Sequence, residues 1–289
     1  MNRQTFTTAG GVTLSYLAAG DGGTPIVLLH GITAGAATYG AIGDRLAENH
    51  RVFALDFRGH GSSDKIGGPY NAENYIADTV EFIEAMVGEE PVVLVGHSLG
   101  SVVAAMIAGR HAVPLRGVLL EDPPLNSGQS DGADGSDMIT TIFTALQNLM
   151  KGHHEAGQSI EDLAALIAQG PAFGDLTKKN IDLVSEEDIA IQAMLMHQCD
   201  WHVLDVITGD EDIGFDAPAN YLPNINVPVH VVVGNAAKGA VISESDFEMA
   251  KGLIPDSSGL LVSEVGHLIH EHAPETYWVE LTTFLERVA

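Results

Sequence analysis

The stretch Val92-Val-Leu-Val-Gly-His-Ser98-Leu-Gly100 decides the fold of this chain. An apolar run typical of a buried strand leads directly into Gly-His-Ser-Leu-Gly, and the small apolar residues from Leu99 to Arg110 favour a helix. This order predicts a strand, a sharp turn and a helix, with Ser98 at the tip of the turn. The glycines let strand and helix pack closely. The pattern therefore predicts a nucleophilic serine, beside which the Leu99 N–H at the helix start can bind an oxyanion.

Apolar runs of the same kind recur along the chain and alternate with helical stretches. They lie at Pro25 to His30, Arg51 to Asp56, Arg116 to Leu120 and Val229 to Gly234, with a weaker one at Gly259 to Val265. Helices are predicted at Ala72 to Val87 and about Pro274 to Val288, and a hairpin at Gln4 to Thr8 and Val12 to Ala18. Apolar strands separated by helices predict an α/β fold with a mostly parallel sheet covered on both faces.

The alternation breaks between about Leu125 and Tyr221, where the sequence is mainly helical in character. Residues 123–217 contain 17 Asp and Glu against three Lys, so about a third of the chain carries over half of the net charge of −26. We interpret this stretch as a helical cap inserted between two strands of the sheet. The predicted division is a core of residues 1–124 and 220–289 and a cap of residues 125–219, with Ser127 to Ser136 as a flexible entry.

The composition limits the kinds of partner. A net charge of −26 argues against nucleic acid and anionic membranes, because phosphate contacts need Lys and Arg side chains. No apolar run is long enough for a transmembrane helix, no signal peptide is evident, and the single cysteine, Cys199, excludes an intramolecular disulfide. We therefore expect a cytoplasmic protein that acts on a small molecule, and the sequence leaves its oligomeric state open.

Two further turns follow predicted strands. The run His-Gly-Ile-Thr at residues 30–33 ends the first of them, and its glycine would let the chain curl so that the Ile32 N–H becomes a second oxyanion donor. The glycine-rich loop after the next strand is expected to be structural, through an ion pair of Arg58 with Asp56 or Asp64.

A histidine on a glycine turn supplies the candidate base. His267 follows the weak apolar run, where its imidazole can swing toward the Ser98 hydroxyl group. The ordinary pKa of histidine, about 6.5, suits the transfer of a proton to and from that group. His270 and His272 are the competing candidates for this role. No metal is expected at this histidine string, because no separate cluster of carboxylates and cysteines supports one.

Together these motifs resemble the α/β-hydrolase superfamily, over residues 20–122 and 225–289. His-Gly at 30–31, the loop at 56–64, Gly-His-Ser-Leu-Gly at 96–100 and Gly-His at 266–267 occur in the order of that family. The resemblance implies the α/β-hydrolase fold with an inserted helical cap. It also implies acyl transfer to water through a serine acyl-enzyme, with no metal or organic cofactor. A serine rather than an aspartate at the turn disfavours the dehalogenases and epoxide hydrolases of this fold.

The chain departs from the family in its third catalytic residue. The usual acid position, after the strand that follows the cap, falls in Gly-Asn-Ala-Ala at residues 234–237, where Ala237 stands. Some family members carry the acid one element earlier, and here that strand ends in Glu121-Asp122. The resemblance implies that a carboxylate there orients His267 and stabilises its imidazolium form. Asp122 is the expected acid, because it lies just at the strand end, and Glu121 is the alternative. If both are structural, the triad is incomplete.

The substrate is predicted from charge and from the family. The negative charge disfavours a polyanion, and members with the early acid include lactonases, so we expect a neutral ester or lactone of modest size. The rival interpretations are a carbon–carbon bond hydrolase, a ligand receptor with weak turnover, and a cofactor-independent oxygenase or perhydrolase. The pair His153-His154 is expected at an exposed end of a cap helix. The candidates for the substrate pocket are His30, Gly31, His97, Met138, Trp201 and His202.

Overall fold

The computed structural model describes residues 1–125, 134–172, 175–182, 184–209 and 213–289, and within them the chain forms ten strands. They are β1 (Asn2–Thr7), β2 (Thr13–Ala19), β3 (Pro25–Leu29), β4 (Arg51–Leu55), β5 (Val92–His97), β6 (Leu115–Glu121), β7 (Pro171–Ala172), β8 (Asp175–Lys179), β9 (Val229–Gly234) and β10 (Ser257–Val262). Eight of them form one sheet in the order β1-β2-β4-β3-β5-β6-β9-β10, and β7 pairs with β8 separately.

The same residues form eleven α-helices. They are α1 (Gly40–Leu46), α2 (Ala72–Met86), α3 (Leu99–Gly109), α4 (Asp134–Ala156), α5 (Ile160–Gln169), α6 (Glu186–His197), α7 (Asp205–Thr208), α8 (Pro218–Tyr221), α9 (Glu244–Leu253), α10 (Ile269–His272) and α11 (Pro274–Arg287). Short polar side chains cap the starts of some of them: Ser159 and Asp162 bond reciprocally at the start of α5, and Ser185 accepts from the Asp188 N–H at α6. None of the described helices is long and apolar enough to cross a membrane.

The direction of the strands gathers several loops at one edge of the sheet. β1, β2 and β4 are antiparallel neighbours, whereas β4, β3, β5, β6, β9 and β10 run parallel. Parallel strands end at the same edge, so the loops that follow β3, β5, β6 and β9 meet there. This edge holds the candidate residues that follow these strands.

Side chains of the central strands alternate between two buried layers. Val93 and Val95 of β5 belong to the layer that contains Leu281 of α11. Leu94 belongs to the other layer, with Val102 of α3. Each such residue contributes roughly 1.5–3 kcal/mol relative to an exposed position. Burial on both faces explains the continuous apolar runs in the sequence, and it confirms the predicted parallel sheet between helical layers.

The elements from α4 to α8 form a helical insertion between β6 and β9. Because β6 and β9 pair directly with each other, the insertion leaves the central sheet and returns to it, and its described strands pair only with each other. A small apolar cluster of its own holds it together, with Leu163 of α5 against Ile189 of α6. It contacts the core through polar groups as well, where the Asp200 N–H donates to the Gly59 carbonyl at 2.7 Å.

The structure corrects some expectations about this part of the chain. His153 is buried, at 2% exposure, rather than exposed, because the end of α4 packs on α6 and the His153 ring contacts His197, with Nε2 and Nδ1 2.8 Å apart. The mainly helical stretch also contains the β7–β8 pair. The last predicted strand ends at Val262, three residues early, since the chain leaves the sheet to form the His267 loop. The predicted flexible entry lies mostly outside the described residues.

Candidate active site

Ser98 lies on a strained turn between β5 and α3. Its φ and ψ are 50° and −117°, a positive-φ conformation that residues other than glycine rarely adopt. A Cβ atom on Gly96 would lie 2.4 Å from the Gly100 carbonyl oxygen, and one on Gly100 would lie 2.1 Å from the Leu29 carbonyl oxygen. Only glycine fits at these two positions. The close packing of strand and helix that follows holds Ser98 at the edge of the sheet.

The Asp122 carboxylate contacts the imidazole of His267. Asp122 follows β6 with φ 41°, and its Oδ2 lies 2.6 Å from His267 Nδ1. Backbone N–H groups hold the same carboxylate, from Val241 to Oδ2 at 2.8 Å and from Gly234 to Oδ1 at 3.3 Å. The carboxylate is fully buried and accepts a hydrogen bond from Nδ1–H, which leaves the lone pair of the ring on Nε2.

Glu121, the other candidate acid, contacts a different histidine. Its carboxylate accepts from the His270 backbone N–H at 2.8 Å, and both of its oxygens lie 2.9 Å from His270 Nδ1. Its carbonyl oxygen accepts from the Ser98 N–H at 2.9 Å. The two adjacent acids therefore hold two histidines three residues apart. Among the described residues, no group of three or more His, Cys, Asp or Glu side chains is arranged to hold a metal ion.

The loop at residues 30–33 packs directly against the Ser98 turn. A Cβ atom on Gly31 would lie 2.8 Å from His97 Nδ1 and 3.2 Å from the Ser98 Cβ, so only glycine allows this approach. The buried His30 ring fixes the loop, because Nδ1 donates to the Gly31 carbonyl at 2.7 Å and Nε2 accepts from the Phe57 N–H at 3.0 Å. Burial lowers the pKa of His30, although Asp56 opposes this effect, so the ring is neutral. The arrangement brings Gly31 against Ser98, and the role of the Ile32 N–H as an oxyanion donor stays a prediction.

His97 joins the Ser98 turn to the histidine loop. Its Nε2 donates to the His267 carbonyl at 3.1 Å, and the centroids of the two rings are 4.5 Å apart. Burial, and then the neighbouring His267 and His270, hold the pKa of His97 well below its usual value. His97 is therefore a neutral, buried contact between the two loops.

The sequence of this chain matches the model of a known protein family. The model of the alpha/beta hydrolase family matches residues 26–279, nearly the whole chain. The chain belongs to the alpha/beta hydrolase family. This confirms the fold and the resemblance that the motifs carry.

Individual hydrolases are similar to this one over almost their full length. N-formylmaleamate deformylase of Pseudomonas putida is 28% identical over 281 residues, which cover 96% of this chain and 94% of that protein. The 2-hydroxy-6-oxo-6-(2'-aminophenyl)hexa-2,4-dienoic acid hydrolase of Metapseudomonas resinovorans is 26% identical, over 98% and 91% of the two chains. The solved structure of a thermophilic esterase from Thermogutta terrifontis superposes with a TM-score of 0.74 at 21% identity, over 100% of this chain and 99% of that one.

The other candidates for the substrate pocket lie in the helical insertion of this hydrolase. The ring centroids of Trp201 and His202 are 3.5 Å apart, and His202 Nδ1 lies 2.8 Å from Asp205 Oδ2. Met138 lies on α4, and its side chain is outside the described part of the chain. From α6, Leu195 reaches the core, since a Cβ atom on Gly35 would lie 2.9 Å from its Cδ2. The insertion therefore covers the chain just after residues 30–33, and the roles of these candidates in binding substrate stay predictions.

Arg58 does not pair as the sequence analysis expects. Its Nε and one terminal nitrogen each lie 2.6 Å from the Asp78 carboxylate, because α2 packs Asp78 against this loop. Asp56 instead bonds Arg3 of β1 at 2.5 Å, and Asp64 accepts from the Thr13 N–H at 2.7 Å. Arg58 and Asp56 each pair with a residue that is distant in the sequence, so local spacing could not identify these pairs.

The usual acid position of the family is occupied by an exposed residue. Ala237 lies in the single 3₁₀ turn Ala236–Lys238 after β9, and its N–H donates to Asn235 Oδ1 at 2.9 Å. The buried acid nearest in sequence, Asp246, caps α9 with Ser243, whose hydroxyl donates to it at 2.7 Å. The contact to His267 comes from β6 instead.

Sequence reasoning missed the buried pair of Glu121 and His270 as a unit. Its signal was present, because Glu121-Asp122 are adjacent and the two histidines are three residues apart, as on one helical turn. From the sequence alone, the two acids are alternatives for the single role of orienting His267. In the structure each acid has its own histidine, which the sheet and the start of α10 bring together.

Proposed function

We propose that this protein hydrolyses a carboxylic ester or lactone through a serine acyl-enzyme, with Ser98 as nucleophile, His267 as base and Asp122 as the orienting acid. One observation carries the proposal: Asp122 Oδ2 lies 2.6 Å from His267 Nδ1, at the sheet edge where Ser98 stands on its strained turn. An acid that orients an imidazole beside a serine on such a turn is the arrangement that acyl transfer needs.

In the proposed first half-reaction, His267 Nε2 takes the Ser98 hydroxyl proton while Oγ attacks the carbonyl carbon. Asp122 stabilises the imidazolium that forms, and the N–H groups of Ile32 and Leu99 bind the oxyanion. The tetrahedral intermediate expels the alcohol oxygen, which takes its proton from His267. In the second half-reaction His267 removes a proton from water, the hydroxide oxygen attacks the acyl carbon, and the Ser98 oxygen leaves with the proton returned by His267.

The charges support a neutral substrate. The net charge of −26 repels anions at long range. Arg58, in the loop after β4, pairs with Asp78, and Arg3 of β1 pairs with Asp56 at the start of that loop, so neither guanidinium group is available to bind a substrate carboxylate. An uncharged ester or lactone needs no such partner.

A second candidate is the cleavage of a C–N or C–C bond to a carbonyl group by the same three residues. The similarity to N-formylmaleamate deformylase and to the 2-hydroxy-6-oxo-6-(2'-aminophenyl)hexa-2,4-dienoic acid hydrolase, each over more than 90% of both chains, favours this candidate. An amide nitrogen or a carbanion is a poorer leaving group than an alkoxide, so protonation by His267 becomes more important. The choice of substrate in the assay distinguishes the candidates.

The test is hydrolysis of p-nitrophenyl butyrate by the wild type and by Ser98→Ala, with Ser263→Ala, an exposed serine that bonds Glu264, as the matched control. We expect turnover in the wild type and in Ser263→Ala, and a loss on the order of 10⁶-fold in Ser98→Ala. If the wild type hydrolyses p-nitrophenyl butyrate no faster than Ser98→Ala does, the proposal of ester hydrolysis is wrong. N-formyl amides and vinylogous diketones then test the second candidate, and ligand-induced thermal stabilisation without turnover would indicate a receptor.

A further inference from the structure

A second acid–histidine pair lies beside the proposed catalytic one. His270 Nδ1 is 2.9 Å from both oxygens of Glu121, and His270 Nε2 is 3.6 Å from Oε1 of Glu271. The side chain of His270 is 1% exposed and that of Glu121 is fully buried. A carboxylate therefore faces each nitrogen of a buried imidazole.

This geometry favours the doubly protonated ring. A neutral imidazole carries one N–H donor and one lone pair, and an ionised carboxylate only accepts. A neutral His270 would direct its lone pair toward Glu271. The imidazolium instead donates to Glu121 through Nδ1 and presents a positive charge to Glu271, whose Oε1 is 3.6 Å away and beyond hydrogen-bond distance. The ring of Tyr39 stacks on His270 with centroids 4.9 Å apart and an angle of 22°, and an aromatic face also favours a cation.

The pKa of His270 agrees with the geometry. Burial by itself lowers this pKa, but the attraction of Glu121, its hydrogen bond, and then Glu271 outweigh burial, so the pKa lies above its ordinary value of 6.5. The other groups that face His270 are Tyr39, Tyr277 of α11 and the neutral His97. None of these three competes for its proton.

The pair is connected to the reacting groups by direct contacts. The Glu121 carbonyl accepts from the Ser98 N–H, and the His97 ring contacts both His267, at 4.5 Å, and His270, at 5.2 Å. His270 also stands on the same turn of chain as His267. The pair is therefore linked by direct contacts to the Ser98 turn and to His267.

Other charged groups near the histidine loop are exposed. Lys238, on the turn after β9, donates its Nζ to the Glu264 carbonyl at 2.7 Å, and both residues are exposed. Solvent screens such charges strongly. Within the described chain, the buried charges that act at this loop are those of Asp122 and of the Glu121 pair.

We propose that His270, held as an imidazolium between Glu121 and Glu271, is a positioning residue that keeps the His267 loop in its active arrangement. Loss of its proton leaves Glu121 as a buried carboxylate without a compensating charge, which is unfavourable and loosens the loop. A histidine with a raised folded-state pKa contributes stability below its unfolded pKa and loses it as pH rises through the folded pKa. The loop is therefore ordered below the folded-state pKa of His270 and weakens as the pH rises through it. The kinetic consequence, a fall in kcat on the alkaline side, rests on the proposed function.

The charge of His270 can be measured without any turnover. We would record the ¹⁵N and ¹³C imidazole resonances of the folded protein from pH 5 to pH 9 and assign His270 by its absence in His270→Asn. We expect a titration midpoint above the ordinary histidine value of about 6.5 in the wild type and in Glu275→Gln, an exposed acid of α11 that serves as control. Glu271→Gln, a change at a partly exposed residue, should lower the midpoint by roughly 0.5 to 1 pH unit. A His270 midpoint at or below the ordinary histidine value of about 6.5 in the wild type would overturn the proposal.

The second measurement is the pH dependence of kcat. Its fall on the alkaline side, the alkaline limb, is compared with the titration midpoint of His270. We expect the limb to coincide with the His270 midpoint and to move with it to lower pH in Glu271→Gln. His270→Asn keeps a nitrogen donor for Glu121 but cannot be charged, so it should retain part of the rate and lose the limb, whereas His270→Ala should lose most of kcat at every pH. A limb that persists unchanged in His270→Asn contradicts the proposal. If no variant shows turnover above Ser98→Ala, the proposed function has failed, and the resonance measurement still decides the state of His270.

Discussion

The carboxyl edge of the sheet and the helical insertion are held by different kinds of contact. At the edge, Asp122 bonds two backbone N–H groups and His267, within a site whose acids are fully buried. The insertion has a small cluster around Leu163, and it packs on the main core through buried apolar side chains such as Met150 and Val203 as well as through polar contacts of Asp200. Buried hydrogen bonds therefore hold the edge, and mainly apolar packing holds the insertion; we propose that the edge carries the chemistry and that the insertion governs access. We therefore expect substitutions at the edge to change kcat and those in the insertion to change KM or local stability.

The largest effect is expected at Asp122. Asp122→Asn should lower kcat for p-nitrophenyl butyrate about 10⁴-fold, because an amide favours the wrong tautomer of His267 and cannot stabilise its imidazolium. Asp246→Asn, at a buried carboxylate that caps α9, is the matched control and should retain most of kcat. A kcat of Asp122→Asn within ten-fold of the wild-type kcat would show that Asp122 does not carry the proposed chemistry.

The next effect concerns the buried ion pair beneath the insertion. Arg58→Met should reduce the free energy of unfolding by about 3–5 kcal/mol, because Asp78 is then buried without a partner. Burial raises the pKa of Asp78 and Arg58 opposes it, so without Arg58 the folded state binds a proton more strongly. The loss should therefore be larger at pH 8 than at pH 5 in urea titrations. Arg51→Met breaks a partly exposed pair with Glu90 and should reduce the free energy of unfolding by under about 1 kcal/mol. Equal losses in Arg58→Met and Arg51→Met would contradict a special role for the buried pair.

A smaller, local effect is expected inside the insertion. Leu163→Ala removes a fully buried side chain from the cluster between α5 and α6 and should cost about 2–4 kcal/mol of local stability. Hydrogen exchange should speed up in α5 and α6 while α3 stays protected, and kcat should change little. Leu166→Ala, at a residue 47% exposed on the same helix, is the control. Equal deprotection of α3 would mean that insertion and core unfold as one unit.

The smallest effect should come from a single bond between the two regions. Tyr70→Phe removes the hydroxyl that donates to Asp200 Oδ2 at 2.6 Å. We expect KM to rise a few-fold with kcat nearly unchanged, because the insertion is less firmly seated while the edge is untouched. Tyr16→Phe, which removes a bond to Gln4 on the hairpin, should alter neither constant. A fall in kcat with unchanged KM would contradict this division of roles.

The sequence predicted well those features that depend on neighbouring residues. The apolar runs identified β3, β4, β5, β6 and β9, and the Gly-His-Ser-Leu-Gly motif located the strained turn at Ser98. It predicted poorly the partners that come from distant segments. Arg58 pairs with Asp78 and Asp56 with Arg3, because packing of α2 and of the hairpin decides which charges meet.

The sequence by itself determined the family, the position of the turn at Ser98 and the two acids at the end of β6, since each is a local pattern. Only the tertiary structure decided which acid meets which histidine. Asp122 turns out of β6 with φ 41° to contact His267, while Glu121 stays in the strand and contacts His270. The physical reason is that successive residues of a strand point to opposite faces, so a shift of one position changes every partner, and those partners lie about 150 residues away in the chain.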